Sequence, residues 1–243
     1  MVIDMQRIFG EPGSEWFTPD FDVAARGAEQ LRHAFGPRVA LTRFIAPEHP
    51  SGAWVPYYED WPFALDPANA QLYDLMPQFP VVSTTAAGTR PRGDVSAAAD
   101  VGGTVDDGGT AVGFASSSVD RNERAGTSPH HPGADEEGGA DGEAGAHVEA
   151  VVIDRPTFGK WDALSSAAMG DPTEVVLVGV STDCCVLSTA LAAADSGVHV
   201  RVAADACAGV SEQDHQRALD VMSLYTPMIE ITTVAAVLES LAR

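Results

Sequence analysis

Cys185, Asp4 and Lys160 are the residues of this chain whose side chains could together attack a carbonyl group. Cys185 follows the apolar run Val175–Val180 and a turn of small residues, and an alanine-rich, glycine-free segment comes after it. This pattern predicts a strand, a turn and a helix with the thiol at the helix N-terminus, where free N–H groups and the helix dipole favour a thiolate. Asp4 ends the first apolar run, and Lys160 is the only lysine in 243 residues. On separate strand ends, the three would complete a nucleophilic site.

The elements that must position these residues alternate between apolar runs and segments of helical period. This alternation predicts an α/β fold with a parallel sheet. The predicted strands are Val2–Ile3, Arg38–Ile45, Val148–Ile153, Glu174–Val180, Val198–Ala203 and a short strand within Thr226–Thr233. The predicted helices are Asp20–Ala34, Gln213–Leu224 and Val234–Leu241. In such sheets ligands bind at the carboxyl ends of the strands, so the site is expected there.

Four short motifs give the chain a family resemblance. They are VIDMQ at 2–6, TRF at 42–44, GVSTDCCV at 179–186 and VAADACAG at 202–209. Together they resemble the isochorismatase-like cysteine hydrolase superfamily, and GVSTDCCV is the most specific of them. The resemblance implies a doubly wound, mostly parallel six-stranded sheet of order 3-2-1-4-5-6 with helices on both faces. Because family members usually have several residues ahead of the first strand, the natural start is expected upstream of Met1.

The resemblance also implies roles for the residues around the thiol. Cys185 matches the family nucleophile and Asp4 the general base that takes its proton. Cys184 occupies a variable position of the motif and is expected to pack. The backbone N–H groups of Ser181 and Cys185 are expected to form the oxyanion hole, shaped by a cis peptide bond before Ser181. The side chains of Thr182 and Asp183 are expected to brace this turn.

Two residues compete for the family lysine position in the segment VVIDRPTFGKWDAL. Arg155 directly follows the predicted strand, whereas Lys160 stands in the sequence FGKW. A cation at either position would lower the pKa of a nearby thiol. Arginine is effectively never deprotonated and could not take part in proton transfer. We therefore favour Lys160 and keep Arg155 as the alternative.

Aromatic residues are candidates for the substrate pocket. Trp54 and Tyr58 lie in GAWVPYYEDWP after the second strand, and Phe9 and Phe158 could share the same wall. The same side chains could equally be core or subunit-contact residues. Nicotinamidases add a metal-binding D-x-H cluster after the second strand, but here that region contains only His49. One histidine does not make a metal site, so no metal is expected.

Length and composition predict one domain, residues 1–243, with an interruption at about 84–148. The interruption holds 13 of the 23 glycines and one aromatic residue, Phe114. Such a composition cannot bury enough apolar surface to offset chain entropy, which predicts a disordered surface insertion. Its paired histidines, His130 and His131, fit a solvated linker better than a metal site.

The strongly acidic charge excludes some classes of partner. The net charge is −21, of which the segment 84–148 carries −7 and the remaining chain −14. Acidity spread in this way argues against binding to nucleic acid or to an anionic membrane. With one lysine and 13 arginines, it fits either a salt-adapted proteome or a GC-rich genome. No apolar run is long enough to span a bilayer and no signal peptide is evident, so the cytoplasm is the expected location.

Two functions from different classes remain open at the level of sequence. The first is a cofactor-independent hydrolase that cleaves a C–N bond of a small amide or carbamoyl compound through an acyl–cysteine intermediate. The second is a catalytically silent relative that binds a ligand or partner. A dinucleotide-dependent oxidoreductase is excluded because VIDMQ stands where a G-x-G-x-x-G turn would be needed. The resemblance further implies a homo-oligomer.

Overall fold

Six parallel strands form one sheet in the order β3-β2-β1-β4-β5-β6. The computed structural model describes residues 1–80 and 150–243, and the predicted insertion at about 84–148 lies outside the described residues. The strands are β1 (Val2–Ile3), β2 (Ala40–Phe44), β3 (Val151–Arg155), β4 (Glu174–Val180), β5 (His199–Ala208) and β6 (Ile229–Thr232). Their order and direction confirm the predicted doubly wound sheet.

Helices connect the strands. In the described part of the chain they are α1 (Arg7–Gly10), α2 (Phe21–Phe35), α3 (Trp54–Asp60), α4 (Ala163–Ala168), α5 (Leu187–Asp195), α6 (Glu212–Ser223) and α7 (Val234–Leu241). Short 3₁₀ segments follow α3 at Pro62–Leu65 and Pro67–Tyr73. The bounds of α7 are those predicted, and α2 begins directly after its predicted first residue, Asp20. None of these helices is both long and apolar enough to cross a bilayer.

Helices cover both faces of the sheet because the strand residues alternate between two cores. Val176 and Val178 of β4 belong to the core that contains apolar residues of α2 and α7. Val175 and Leu177 belong to the opposite core, which contains residues of α5 and α6. A strand buried on both faces reads as a continuous apolar run, which is why β4 was evident in the sequence.

Two predicted strands end two or more residues away from their ends in the structure. β3 ends at Arg155 instead of Ile153, so Arg155 is the last strand residue, paired with Phe44, and does not follow the strand. β5 continues past Ala203 to Ala208, because pairing with β4 resumes after an irregularity between Leu177 and Gly179. Pairing between strands distant in sequence sets both ends, and local composition could not reveal it.

Candidate active site

Asp4, Lys160 and Cys185 come together at the carboxyl ends of the strands. Asp4 follows β1, Cys185 follows the adjacent strand β4, and Lys160 lies in the loop between β3 and α4. In the sheet, β2 separates β3 from β1, so this loop must cross the end of β2 to reach Asp4. The ammonium nitrogen of Lys160 lies 4.9 Å from the centre of the Phe44 ring at that strand end.

Asp4 is held in a left-handed backbone conformation, with φ of 50°. Aspartate tolerates this region better than most residues. Its backbone N–H donates to Thr42 Oγ1 at 3.2 Å, and the same hydroxyl donates to Asp4 Oδ1 at 2.7 Å. The other carboxylate oxygen, Oδ2, is buried and accepts no well-aligned hydrogen bond from residues 1–80 or 150–243. Oδ2 therefore keeps a lone pair that could accept a proton.

Lys160 forms a fully buried ion pair with Asp4. Its Nζ lies 3.0 Å from Asp4 Oδ2, and both side chains are 0% exposed. Nζ also donates to the carbonyl of Thr157 at 2.6 Å, and the Lys160 carbonyl accepts from Ser165 Oγ at 2.6 Å. Burying a lysine is costly unless it is paired, so this arrangement explains why the chain keeps a lysine here.

Arg155 is occupied elsewhere. Its guanidinium makes two hydrogen bonds to the carboxylate of Asp162, at 2.9 and 3.0 Å, near the surface. This arginine lowers the pKa of Asp162 to about 2, chiefly through those hydrogen bonds. Of the two candidates for the lysine position, the structure therefore brings Lys160 to Asp4 and leaves Arg155 on Asp162.

Cys185 lies in a single π-helical turn, Thr182–Val186, that leads into α5. The peptide bond between Val180 and Ser181 is cis, as the resemblance implies. The carbonyl of Ser181 accepts the N–H groups of Cys184 and Val186 at 3.1 Å each. An oxyanion role for the N–H groups of Ser181 and Cys185 stays a prediction.

The side chains of Thr182 and Asp183 brace this turn. Thr182 Oγ1 lies 2.8 Å from His215 Nδ1 on α6. The Asp183 carboxylate accepts from the Ser181 hydroxyl and from the Val210 N–H, the latter at 3.0 Å. These contacts tie the turn to the segment after β5, as expected for a bracing role.

Burial raises the pKa of the Cys185 thiol well above its usual range. Desolvation is the largest cause, because the side chain is 3% exposed. The negative charge of Asp4 raises the pKa further, while the positive charge of Lys160 lowers it. The cation therefore acts on the thiol in the expected direction, but the expected net lowering of the pKa is wrong for this state of the site. A thiol whose pKa is raised in this way needs a base to take its proton if it is to attack a carbonyl group.

Alkylation of Cys185 by iodoacetamide should consequently accelerate with pH up to and beyond pH 9. Asp4→Asn should make labelling faster at pH 8, because it removes an anion that disfavours the thiolate and leaves Lys160 uncompensated. Lys160→Met should make labelling slower, because it removes the cation that favours the thiolate. The rate for each cysteine can be followed by tandem mass spectrometry of labelled peptides.

Arg155→Met is the matched control for the lysine substitution. It also removes a cation paired with a carboxylate, but that pair lies at the surface. Its labelling profile should coincide with that of the wild type. A labelling profile that reaches its plateau below pH 8 would contradict the raised pKa.

Aromatic rings form a wall that continues from the ion pair. The Lys160 ammonium lies over the ring of Phe44. This ring stacks with that of Phe158 at a centroid distance of 6.3 Å. The ring centroids of Phe158 and Trp54 are 5.0 Å apart. The Trp16 ring contacts both Phe44, at 5.7 Å, and Phe9, at 6.1 Å. Phe9, Trp54 and Phe158, predicted as pocket residues, thus belong to one cluster beside the ion pair. Their contact with substrate stays a prediction.

The Tyr57 hydroxyl interacts electrostatically with Cys185, whereas no such interaction acts on the predicted pocket residue Tyr58. Burial raises the pKa of both hydroxyls, to about 12 for Tyr58. Only the pKa of Tyr57 is raised further by the charges of Cys184 and Cys185. Tyr58 is buried, and its hydroxyl has no hydrogen-bond partner among the described residues. Adjacent tyrosines on a helix point about 100° apart, and the sequence could not show which one faces the site.

Sequence reasoning gave no role to Gln6 or Thr189. Gln6 Nε2 donates to the carbonyls of Phe44 and Tyr73 at 3.0 and 2.6 Å, and its Oε1 accepts the Phe44 N–H at 2.7 Å. The glutamine of VIDMQ therefore fixes the end of β2 beside Asp4. Thr189 hydrogen-bonds both Lys160 and Cys185. Its spacing of four residues from Cys185 was the available signal.

Among residues 1–80 and 150–243, no group of three or more His, Cys, Asp or Glu side chains could hold a metal ion. His49 is exposed, and His130 and His131 lie outside the described residues.

Known proteins resemble this chain in both sequence and fold. The profile of the isochorismatase domain matches residues 103–236. No curated protein matches the chain at a significant level. A cysteine hydrolase from Pseudomonas syringae pv. phaseolicola 1448A superposes with a TM-score of 0.63 at 14% identity, covering 99% of this chain and 90% of its own.

Two further solved structures share the fold. An isochorismatase-like hydrolase from Alkaliphilus metalliredigens has a TM-score of 0.54 at 14% identity, covering 98% of this chain and 95% of its own. A pyrazinamidase of Pyrococcus horikoshii, solved in complex with zinc, has a TM-score of 0.53 at 19% identity and covers 96% of both chains. At these identities the superpositions establish the architecture.

Proposed function

This chain belongs to the isochorismatase family, and from that premise we propose that it is a cysteine hydrolase that cleaves a C–N bond of a small amide or carbamoyl compound. Cys185 is the nucleophile, Asp4 the general base and Lys160 the cation that holds the Asp4 carboxylate in place. The observation that carries the proposal is the buried Asp4–Lys160 ion pair, 3.0 Å long, whose charges both act on the Cys185 thiol.

In the first half-reaction, Asp4 Oδ2 takes the thiol proton while the sulfur attacks the substrate carbonyl carbon. The carbonyl oxygen becomes an oxyanion, which the N–H groups of Ser181 and Cys185 stabilise. Preorganised donors of this kind contribute about 3 kcal/mol each in other enzymes. The tetrahedral intermediate collapses as the C–N bond breaks and the Asp4 proton passes to the nitrogen. Ammonia or an amine leaves, and a thioester remains on Cys185.

In the second half-reaction, water replaces the amine. Asp4 takes a proton from the water while the water oxygen attacks the thioester carbon. The C–S bond breaks, the sulfur regains the proton, and a carboxylic or carbamic acid leaves. Each cycle consumes one water and returns both Asp4 and Cys185 to their starting protonation states. A thiol kept protonated by burial fits this sequence, since the base removes the proton only during attack.

Cys185→Ala should abolish turnover of any substrate of this protein. A panel of small amides and carbamoyl compounds is screened for release of ammonia or amine. For any substrate found, the alanine variant should lose at least about a thousandfold in kcat/KM, because it removes the thiol on which the proposed acyl intermediate forms. Acid quenching of the wild type during turnover should trap an acyl adduct, which intact-mass spectrometry detects on Cys185.

Cys184→Ala is the matched control. It removes the neighbouring thiol, whose pKa burial and then Asp183 raise to about 11. We expect this variant to keep most of the activity and to form the same adduct. Full hydrolysis by Cys185→Ala would refute the covalent mechanism.

A catalytically silent binding protein is the second candidate. The observation that favours it is the low exposure of the three residues, 0% for Asp4 and Lys160 and 3% for Cys185. Such a protein would bind a ligand without releasing ammonia and would form no acyl adduct. The substrate screen and the adduct measurement therefore separate the two functions.

A further inference from the structure

The Thr189 hydroxyl lies between Lys160 and Cys185. It donates to the Cys185 carbonyl at 2.6 Å and accepts the Lys160 backbone N–H at 3.0 Å. Thr189 is on α5 and fully buried. One side chain therefore contacts the backbone of two residues of the candidate site at once.

The directions of these two hydrogen bonds are fixed by chemistry. A hydroxyl has one proton, and the Cys185 carbonyl can only accept it. The Lys160 N–H can only donate, so it must use an oxygen lone pair. A threonine that donates to the carbonyl four residues earlier is common in helices. The bond from Lys160 joins residues 29 apart in sequence and is not explained by helix geometry.

The bridge joins two segments that the sheet does not hold together. Lys160 lies in the loop after β3 and Cys185 in the turn after β4, and β2 and β1 separate these strands. Thr157 lies in the same loop and Ser165 in α4, so their contacts with Lys160 do not link it to the turn after β4. The ion pair with Asp4 links the lysine side chain to the end of β1, and Thr189 links the lysine backbone to that turn.

We propose that Thr189 is a positioning residue that sets the placement of Lys160 relative to Cys185. The proposal rests on the proposed function, in which the Lys160 charge acts on Asp4 and the thiol. The loop after β3 is also tied to the residue after α5, because Trp161 Nε1 donates to Ser196 Oγ at 2.7 Å. Without the bridge, the Lys160 backbone can still shift relative to the turn after β4. Small displacements at a catalytic site, even from changes outside the chemistry, can cost about a hundredfold in rate.

The test compares three variants with the wild type. Thr189→Val keeps the shape but removes the hydroxyl, whereas Thr189→Ser keeps the hydroxyl. Thr18→Val makes the same change at a buried threonine whose hydroxyl has no hydrogen-bond partner among the described residues. The rate of Cys185 alkylation by iodoacetamide is measured from pH 6 to 11, and urea unfolding checks that each variant is folded. Thr189→Ala replaces the valine variant if the latter does not fold.

The valine variant should behave as a partial loss of Lys160. Its labelling profile should move to higher pH by roughly half a unit or more, in the direction of Lys160→Met, because the cation that favours the thiolate is less well placed. The serine variant and Thr18→Val should follow the wild type. With a substrate from the screen, the valine variant should lose roughly tenfold to a hundredfold in kcat with little change in KM.

Two results would overturn the proposal, and they differ. If Lys160→Met labels at Cys185 as the wild type does, the charge of Lys160 does not act on the thiol. The proposed function then fails together with the role of Thr189. If Lys160→Met changes the labelling of Cys185 but the folded Thr189→Val variant labels as Thr18→Val does, only the proposed role of Thr189 fails.

Discussion

Lys160→Met should destabilise the protein by about 3–5 kcal/mol, because it leaves the Asp4 carboxylate buried without a cation. Both side chains are 0% exposed, so water cannot solvate the remaining charge. The free energy of unfolding is measured with urea at pH 7. A surface ion pair would not give this result, since such pairs contribute at most about 1 kcal/mol.

The double variant Asp4→Asn, Lys160→Met should recover much of the lost stability, because it buries no net charge. The four proteins form a double-mutant cycle that measures the coupling directly. Arg155→Met is the matched surface control, since its pair with Asp162 is 23% and 49% exposed. Additive effects of the two single changes at Asp4 and Lys160 would contradict a coupled buried pair.

Gly179→Ala should prevent stable folding, with an expected loss above about 4 kcal/mol. Gly179 has φ of 120°, and a Cβ there would lie 2.1 Å from the Ile3 carbonyl oxygen and 2.7 Å from the Ile3 nitrogen. Both are backbone atoms of β1, so neither can rotate away. Relief of the clash requires β1 to separate from β4, which also displaces Asp4. Far-ultraviolet circular dichroism and urea unfolding would detect the loss.

Gly197→Ala is the control for the backbone conformation alone. Gly197 also has a positive φ, 88°, but a Cβ there would meet no atom within 4 Å. Only the strain of the left-handed region applies, which costs roughly 1–2 kcal/mol. Equal losses for the two variants would show that close approach to β1 is not what requires glycine at 179.

The same close approach links stability to chemistry in this fold. Gly179 lets β4 lie against Ile3, the residue before Asp4, while the turn after β4 carries Cys185. The proposed nucleophile and its proposed base therefore come from neighbouring strand ends. Lys160 comes from the loop after β3, where Thr189 and Ser165 bind its backbone and the Thr157 carbonyl accepts from its ammonium group.

The sequence by itself determined the sheet and the family, and it predicted the nucleophile. Buried parallel strands such as β4 read as apolar runs, and α7 was predicted with its observed bounds, because both signals are local. The motif around Cys185 is contiguous, so the resemblance carried its assignment. The single lysine of the chain also drew attention to position 160.

Only the tertiary structure decided what depends on contacts between distant segments. It showed that Lys160, and not Arg155, pairs with Asp4. The loop after β3 crosses the end of β2, while Arg155 stays in β3 and pairs with Asp162. It reversed the expected shift of the Cys185 pKa, because burial and the Asp4 charge act more strongly on the thiol than Lys160 does. Loop paths and desolvation arise from packing between segments far apart in sequence, and no local pattern of residues specifies them.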